Sequence, residues 1–240
     1  MAFYTKFAEY YESVFPYNQI TFEFLSSYTD SKTIDILDVG CGTGHYTKAF
    51  SDSGFQATGI DLNPSMVEHA KKHYPKPKFH HLNMLDIENL NQNFDLIFCI
   101  GNTAAHLTAA EFKTFIHAVH KILRPGGKWI FQVRNWEYIL QQKEYTFPLL
   151  QANEENIQFE RTYTKITPDS LQFNTRLIVH GKVVFEDSVI LYPLSSQSYL
   201  RIHNDRQFQF MDQYGSFKRT SYDPDIDSAN IFVFQKRKLS

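Results

Sequence analysis

The sequence predicts an α/β fold: a Rossmann-like, doubly wound, mostly parallel seven-stranded sheet with an inserted antiparallel β-meander. Three observations lead there. Up to about residue 143, short runs apolar on both faces alternate with helical patterns, as in a parallel sheet covered by helices. After residue 150 the apolar period drops to two, the mark of antiparallel strands with one exposed face. The first apolar run ends in Gly40, Gly42 and Gly44, a turn that carries a buried strand into a helix.

Taken in order, the chain opens with an aromatic-rich amphipathic helix from Tyr4 to Phe15, part of a helical lid over residues 1–30. Residues 34–39 form the first strand and 45–53 its helix. A second strand at 57–60 leads to a helix at 64–73, with Pro64 suited to the first helical turn. Strands at 79–82 and 94–100 follow, then a helix at 109–123 that Arg124-Pro125-Gly126-Gly127 stops before a strand at 128–133. Residues 157–163 and 171–177 alternate, and 183–191 continues the meander after the turn His180-Gly181-Lys182. A helix at 195–204 and strands at 207–211 and 231–235 return to the main sheet. The whole chain, 1–240, reads as one domain on which the meander, 150–193, rides as an insertion.

Composition narrows the function. A net charge of −2 gives no general attraction to nucleic acid or to an anionic membrane, so neither is expected as a partner. No apolar stretch is long enough to span a bilayer, and residues 1–6 lack the pattern of a signal peptide. Cys41 and Cys99 are the only cysteines; a disulfide is possible in principle, but reduced thiols and a cytoplasmic location are the expectation. The ten histidines show no metal-ligand spacing, so no metal is expected; His80, His81, His117 and His120 read as surface or packing positions.

The chemistry starts at the glycine turn. Its spacing is G-x-G-x-G, not the G-x-G-x-x-G that seats a pyrophosphate on a helix N-terminus. Asp61 ends the next apolar run about 20 residues on, where a carboxylate accepts from both hydroxyls of a ribose. Together they point to a nucleoside ligand.

Asp38-Val39-Gly40-Cys41-Gly42-Thr43-Gly44 with Asp61 resembles the first two motifs of class I S-adenosylmethionine-dependent methyltransferases. The resemblance implies S-adenosyl-L-methionine as cofactor, a ligand without phosphate. It implies a cofactor site of Gly40, Cys41, Gly42, Gly44, Asp61, Leu62, Met66, Asn83, Met84, Leu85, Ile100, Gly101 and His106. Asn83 stands where many relatives carry Asp, and its side chain reads the adenine edge with Met84 beside the ring. Met66 lies on the other adenine face or packs in the core, and Asp86 is a solvated turn or cap residue. The N-terminal segment is similar to a Y-x-x-x-A-x-x-Y-D helix that lids the cofactor in small-molecule methyltransferases. Tyr4 and Tyr11 match its tyrosines and Glu12 replaces its Asp. A tyrosine oxygen over the sulfonium favours the positive centre.

A narrower resemblance comes from Gly101-Asn102-Thr103-Ala104-Ala105-His106-Leu107 and Arg134-Asn135-Trp136-Glu137-Tyr138-Ile139-Leu140. These look like the G-N-S-x-x-H-L and R-N-Y-x-x-I-L segments of the glycine and sarcosine N-methyltransferase branch. The likeness covers residues 30–140 well and the meander only in general architecture. It implies that Asn102 and Arg134 hold the carboxylate of an amino-acid acceptor, and an arginine just past a strand's carboxyl end suits that task. A capping role for Arg134 at the following helix is the alternative.

The expected reaction is methyl transfer to a small molecule, on an amine or amino-acid nitrogen. Catalysis then rests on orientation, desolvation and fixed dipoles, with proximity worth roughly 7–11 kcal/mol. Asn102, Arg134, His106 and Tyr11 are the candidate catalytic residues; a hydroxyl acceptor makes His106 the general base. O-methylation of a hydroxylated metabolite, an NAD-dependent dehydrogenase, and a cofactor-binding module without catalysis are the rival readings. An oligomer is possible.

Overall fold

The computed structural model describes residues 7–152 and 156–238; Tyr4, the first tyrosine of the predicted lid, lies outside them. The central sheet is built from β1 (Asp35–Val39), β2 (Gln56–Asp61), β3 (Lys78–His81), β4 (Phe94–Cys99), β5 (Leu123–Arg134), β11 (Phe208–Tyr214) and β12 (Ala229–Lys236). Their order is β11-β12-β5-β4-β1-β2-β3. The five strands from β1 to β5 run parallel, whereas β12 is antiparallel to β5 and to β11. Strand order reverses between β1 and β4, and ligands of open α/β sheets lie outside the strands' carboxyl ends at such a point.

Consecutive strand residues are buried on opposite faces, which is why these strands read as unbroken apolar runs. Leu37, Ile97, Trp129 and Phe131 pack with Phe112, Phe115 and Val119 of the helix Ala109–Ile122. Ile36, Leu96, Phe98 and Ile130 pack the other way against Phe24, Leu25 and Phe50. Each such side chain contributes about 1.5–3 kcal/mol on burial. At the amino ends of the strands Arg124 bonds to Asp35 at 2.7 Å and Asp95 at 2.8 Å. Asp95 also accepts from the Ile34 and Asp35 N–H groups.

That reach of Arg124 explains one departure from expectation. β5 begins at Leu123 rather than at 128, because residues 124–127 stay in the strand through a bulge between the Phe94 and Leu96 pairings, with Gly126 at a φ of +85°. The helix Gln19–Ser26 falls within the helical segment expected over residues 1–30. Asn18 caps it by accepting from Ile20 and Thr21 N–H, and Phe24 and Leu25 anchor it in the core. Its inner face packs on the main sheet.

The second sheet holds β6 (Tyr145–Thr146), β8 (Ile157–Thr164), β9 (Leu171–Val179) and β10 (Lys182–Leu191) in the order β10-β9-β8-β6, with β7 (Leu150–Ala152) also on β8. It starts upstream of the expected residue 150, since β6 and β7 are too short to show a period. On β8 the residues Ile157, Phe159, Arg161 and Tyr163 face inward. The lid docks there: Phe7 stacks on Phe159 at 4.9 Å and meets Phe185 edge-on at 5.3 Å. Among the described residues of the lid, Tyr11–Val14 is a short helix; Tyr10 supplies no side-chain cap and Phe15 precedes Pro16.

Under the helix Ser196–Asn204, His203 is fully buried. Trp129 Nε1 donates to its Nε2 at 2.9 Å, and its Nδ1 lies 2.6 Å from the Tyr199 carbonyl, so the ring is neutral with the proton on Nδ1. Burial pushes its pKa down from 6.5 to about 3. The unfolded chain takes up that proton first as pH falls, so stability is full above about pH 6.5 and is lost on acidification by up to about 1.4 kcal/mol per pH unit. Urea unfolding from pH 7.5 to 5 should show this slope, and His203→Gln should flatten it; an unchanged slope refutes the assignment.

Candidate active site

The turn after β1 is tied to the end of β2. Gly40 and Cys41 N–H both donate to the Ile60 carbonyl, at 2.8 and 2.9 Å. Gly42 N–H donates to Asp61 Oδ2 at 2.9 Å and Asn63 N–H to Oδ1 at 2.8 Å. Each carboxylate oxygen keeps a lone pair for a further donor. Burial pushes the Asp61 pKa up, while the Asn63 and Gly42 N–H groups act the other way.

The three glycines meet different surroundings. All have positive φ, at +74°, +55° and +87° for Gly40, Gly42 and Gly44. A Cβ on Gly40 falls 2.5 Å from the Thr103 side chain, and one on Gly44 falls 2.5 Å from the Phe79 ring. Those two are glycine because protein packs against them. On Gly42 the added atom meets the Tyr11 ring and hydroxyl at 3.3 Å, so this glycine faces the lid.

Beneath the turn Asp38 is buried and accepts from Thr47 Oγ1 at 2.8 Å. Burial lifts its pKa to about 7 against the opposing Thr47 bond. The sequence quoted Asp38 within the motif without a role; its signal was a carboxylate inside an apolar run. Cys41 and Cys99 are both free and buried, and burial pushes both thiols up, out of the reactive range.

At the carboxyl end of β3, Asn83 Oδ1 accepts from Leu85 N–H at 2.9 Å and caps the 3-10 turn Met84–Leu90. Met84 and Leu85 pack on the core edge, and Asp86 is exposed in that turn. Met66 is buried among Phe7, Val14, Ile157 and Phe159, so here it packs between lid and meander. Leu62 is 55% exposed at the mouth of the site.

Beyond β4, Ile100 leads into Gly101 and Asn102, both with positive φ. Gly101 N–H donates to Gln132 Oε1 at 2.8 Å. His106 ends the turn Thr103–His106 with an exposed edge, while protein packed around the rest of the ring lowers its pKa. It is neutral at neutral pH and a weaker base than ordinary imidazole.

Asn102 and Arg134 do come together. Asn102 Oδ1 accepts from the Arg134 N–H at 2.9 Å, and its Nδ2 lies 3.5 Å from Tyr163 Oη on β8. The Arg134 guanidinium lies 4.8 Å from the centre of the Phe147 ring and edges a cavity of about 130 Å³ with Tyr138 and Tyr145. It does not cap the helix Trp136–Ile139; Asn135 does, accepting from Tyr138 N–H. A larger cavity of about 370 Å³, between Gln56 and Lys78, opens at the amino ends of β2 and β3, away from the glycine turn.

Two buried polar atoms on the turn, Thr43 Oγ1 and His45 Nδ1, have no hydrogen-bond partner. With the spare lone pairs of Asp61, they fit a polar nucleoside. Missed by sequence reading were Thr43, His45 and the two β8 side chains Arg161 and Tyr163.

Residues 36–127 match a family model described as a methyltransferase domain. Rat glycine N-methyltransferase is 29% identical over 122 residues, covering 44% of this chain and 42% of that one. A ubiquinone biosynthesis O-methyltransferase of Coxiella burnetii is 30% identical over 142 residues, covering 55% of this chain and 59% of its own. The matches thus span about half the length of these relatives. Among solved structures, an S-adenosylmethionine-dependent methyltransferase from Clostridium acetobutylicum superposes over 98% of this chain and 99% of its own, with a TM-score of 0.81 at 17% identity.

Proposed function

The chain carries a class I S-adenosylmethionine-dependent methyltransferase domain, and from that premise we propose that it methylates the nitrogen of a small amine bearing a carboxylate. The observation that carries the reading is the pairing of Asn102 with Arg134 at the carboxyl ends of β4 and β5. Among the described residues no carboxylate forms an ion pair with Arg134; its side chain meets the neutral Tyr163 hydroxyl and the Phe147 ring, so its charge is left for a ligand.

Asp61 and the glycine turn would hold the nucleoside half of the cofactor, with Tyr11 closing over Gly42. When bound, the cofactor supplies an electrophilic methyl group on a sulfonium. Asn102 and Arg134 orient the acceptor carboxylate, and the lid and β8 exclude water. A neutral amine needs no base at the moment of attack, which agrees with the weakened basicity of His106.

With labelled cofactor, amino acids should be methylated and uncharged amines should not. Arg134→Lys keeps the charge but loses the fork, so kcat/KM for a carboxylate acceptor should fall at least about tenfold with cofactor affinity retained. Methylation of carboxylate-free acceptors alone, or loss of cofactor binding in the variant, overturns the reading. Methylation of a hydroxyl in the same screen would transfer the proposal to oxygen.

A further inference from the structure

Arg161 occupies an inward position of β8 where the alternation otherwise places Ile157, Phe159 and Tyr163. It is only 8% exposed. Its guanidinium lies among aromatic rings, 4.9 Å from the centre of Phe147 and 5.9 Å from those of Phe15 and Phe159. One bond is recorded, from Nη2 to the Pro148 carbonyl at 2.9 Å, while Nε is buried with no acceptor. No ion pair joins Arg161 to any described carboxylate.

Ring faces attract a cation, but a buried guanidinium missing an acceptor and a counter-charge is costly to the fold. A purely structural position on this face calls for leucine or methionine, which would pack between the same rings without that cost. The second observation is the neighbour. Arg134 lies on the same Phe147 ring, so two guanidinium groups stand within 5 Å of one ring centre, and among the described residues neither forms an ion pair. Burial and the charge of Arg134 push the Arg161 pKa down to about 10, which still leaves it a cation at neutral pH. Two uncompensated cations at one site match a ligand of matching charge.

We infer that the acceptor is a small amine carrying two negative charges, one acid group on Arg134 and Asn102 and the second on Arg161. The inference rests on the amino-acid reading above and adds the second charge. That charge is a further carboxylate or a phosphate, chemistries that share the same bidentate contact with a guanidinium.

The test is calorimetric binding to the full chain of three probes: an aminodicarboxylate, a phosphorylated amino acid and glycine. At least one of the first two should bind the wild type at least tenfold more tightly than glycine, and which one does identifies the second acid group. In Arg161→Gln that preference should collapse toward unity, and Arg161→Lys should recover part of it. Should Arg161→Gln fail to fold, the wild-type Tm gives the answer, since the dianion must raise it more than glycine at equal concentration. Equal affinity for all three, or a preference that survives Arg161→Gln, overturns the inference. If glycine-like acceptors are methylated without any dianion preference, the two-charge inference alone fails; if no carboxylate acceptor is methylated, the amino-acid reading fails with it.

Discussion

Replacing Asp61 with alanine should weaken S-adenosylmethionine binding at least about 100-fold. The carboxylate holds the Gly42 and Asn63 N–H groups at 2.9 and 2.8 Å, and its remaining lone pairs face the place assigned to the ribose. Hydrogen bonds to a charged acceptor are worth about 1.5–3 kcal/mol each, so losing two exceeds the roughly 2.7 kcal/mol of a 100-fold change. Asp61→Asn keeps one acceptor oxygen and should fall between. Calorimetry separates the three proteins, and equal affinities would sink the ribose assignment.

The second large effect is on stability. Gly44→Ala sets a Cβ 2.5 Å from the Phe79 ring at a φ of +87°. Left-handed strain of about 1–2 kcal/mol adds to overpacking of about 1–3 kcal/mol, so a loss of about 2–5 kcal/mol is expected. Gly42→Ala carries similar backbone strain, but its contact is the Tyr11 ring at 3.3 Å. It should lose about 1–2 kcal/mol and show its main effect in cofactor affinity. Urea unfolding and cofactor titration of both variants give the comparison. Equal stability losses would show that the turn packs uniformly and that Gly42 has no separate task.

The parallel strands were readable because most are apolar on both faces and stand between helical patterns; their order in the sheet was not read. Asp61, Asn102 and Arg134 were readable because they stand just after such strands, where chain direction decides which end of the sheet they reach. The glycine tasks were not, since what a Cβ on Gly44 meets is Phe79, 35 positions away in the chain. Nor was the strand course of residues 124–127, which depends on Arg124 reaching Asp35 and Asp95 across the sheet. Arg161 was within reach. The alternation from Ile157 to Tyr163 already put a charged residue on the buried face, but a strand's period does not say what the face packs against.

β8 touches both halves of the site. Phe159 bears on the lid, and Tyr163, four residues along the same strand, meets Asn102. An extended strand advances about 13 Å over that interval and does so almost as a rigid rod. On the proposed reading, the lid and the acceptor therefore share one wall. Two ligands that share such a wall are thermodynamically linked: the factor by which the first tightens the second equals the factor by which the second tightens the first. On that reading, any coupling between cofactor and acceptor belongs to the strand.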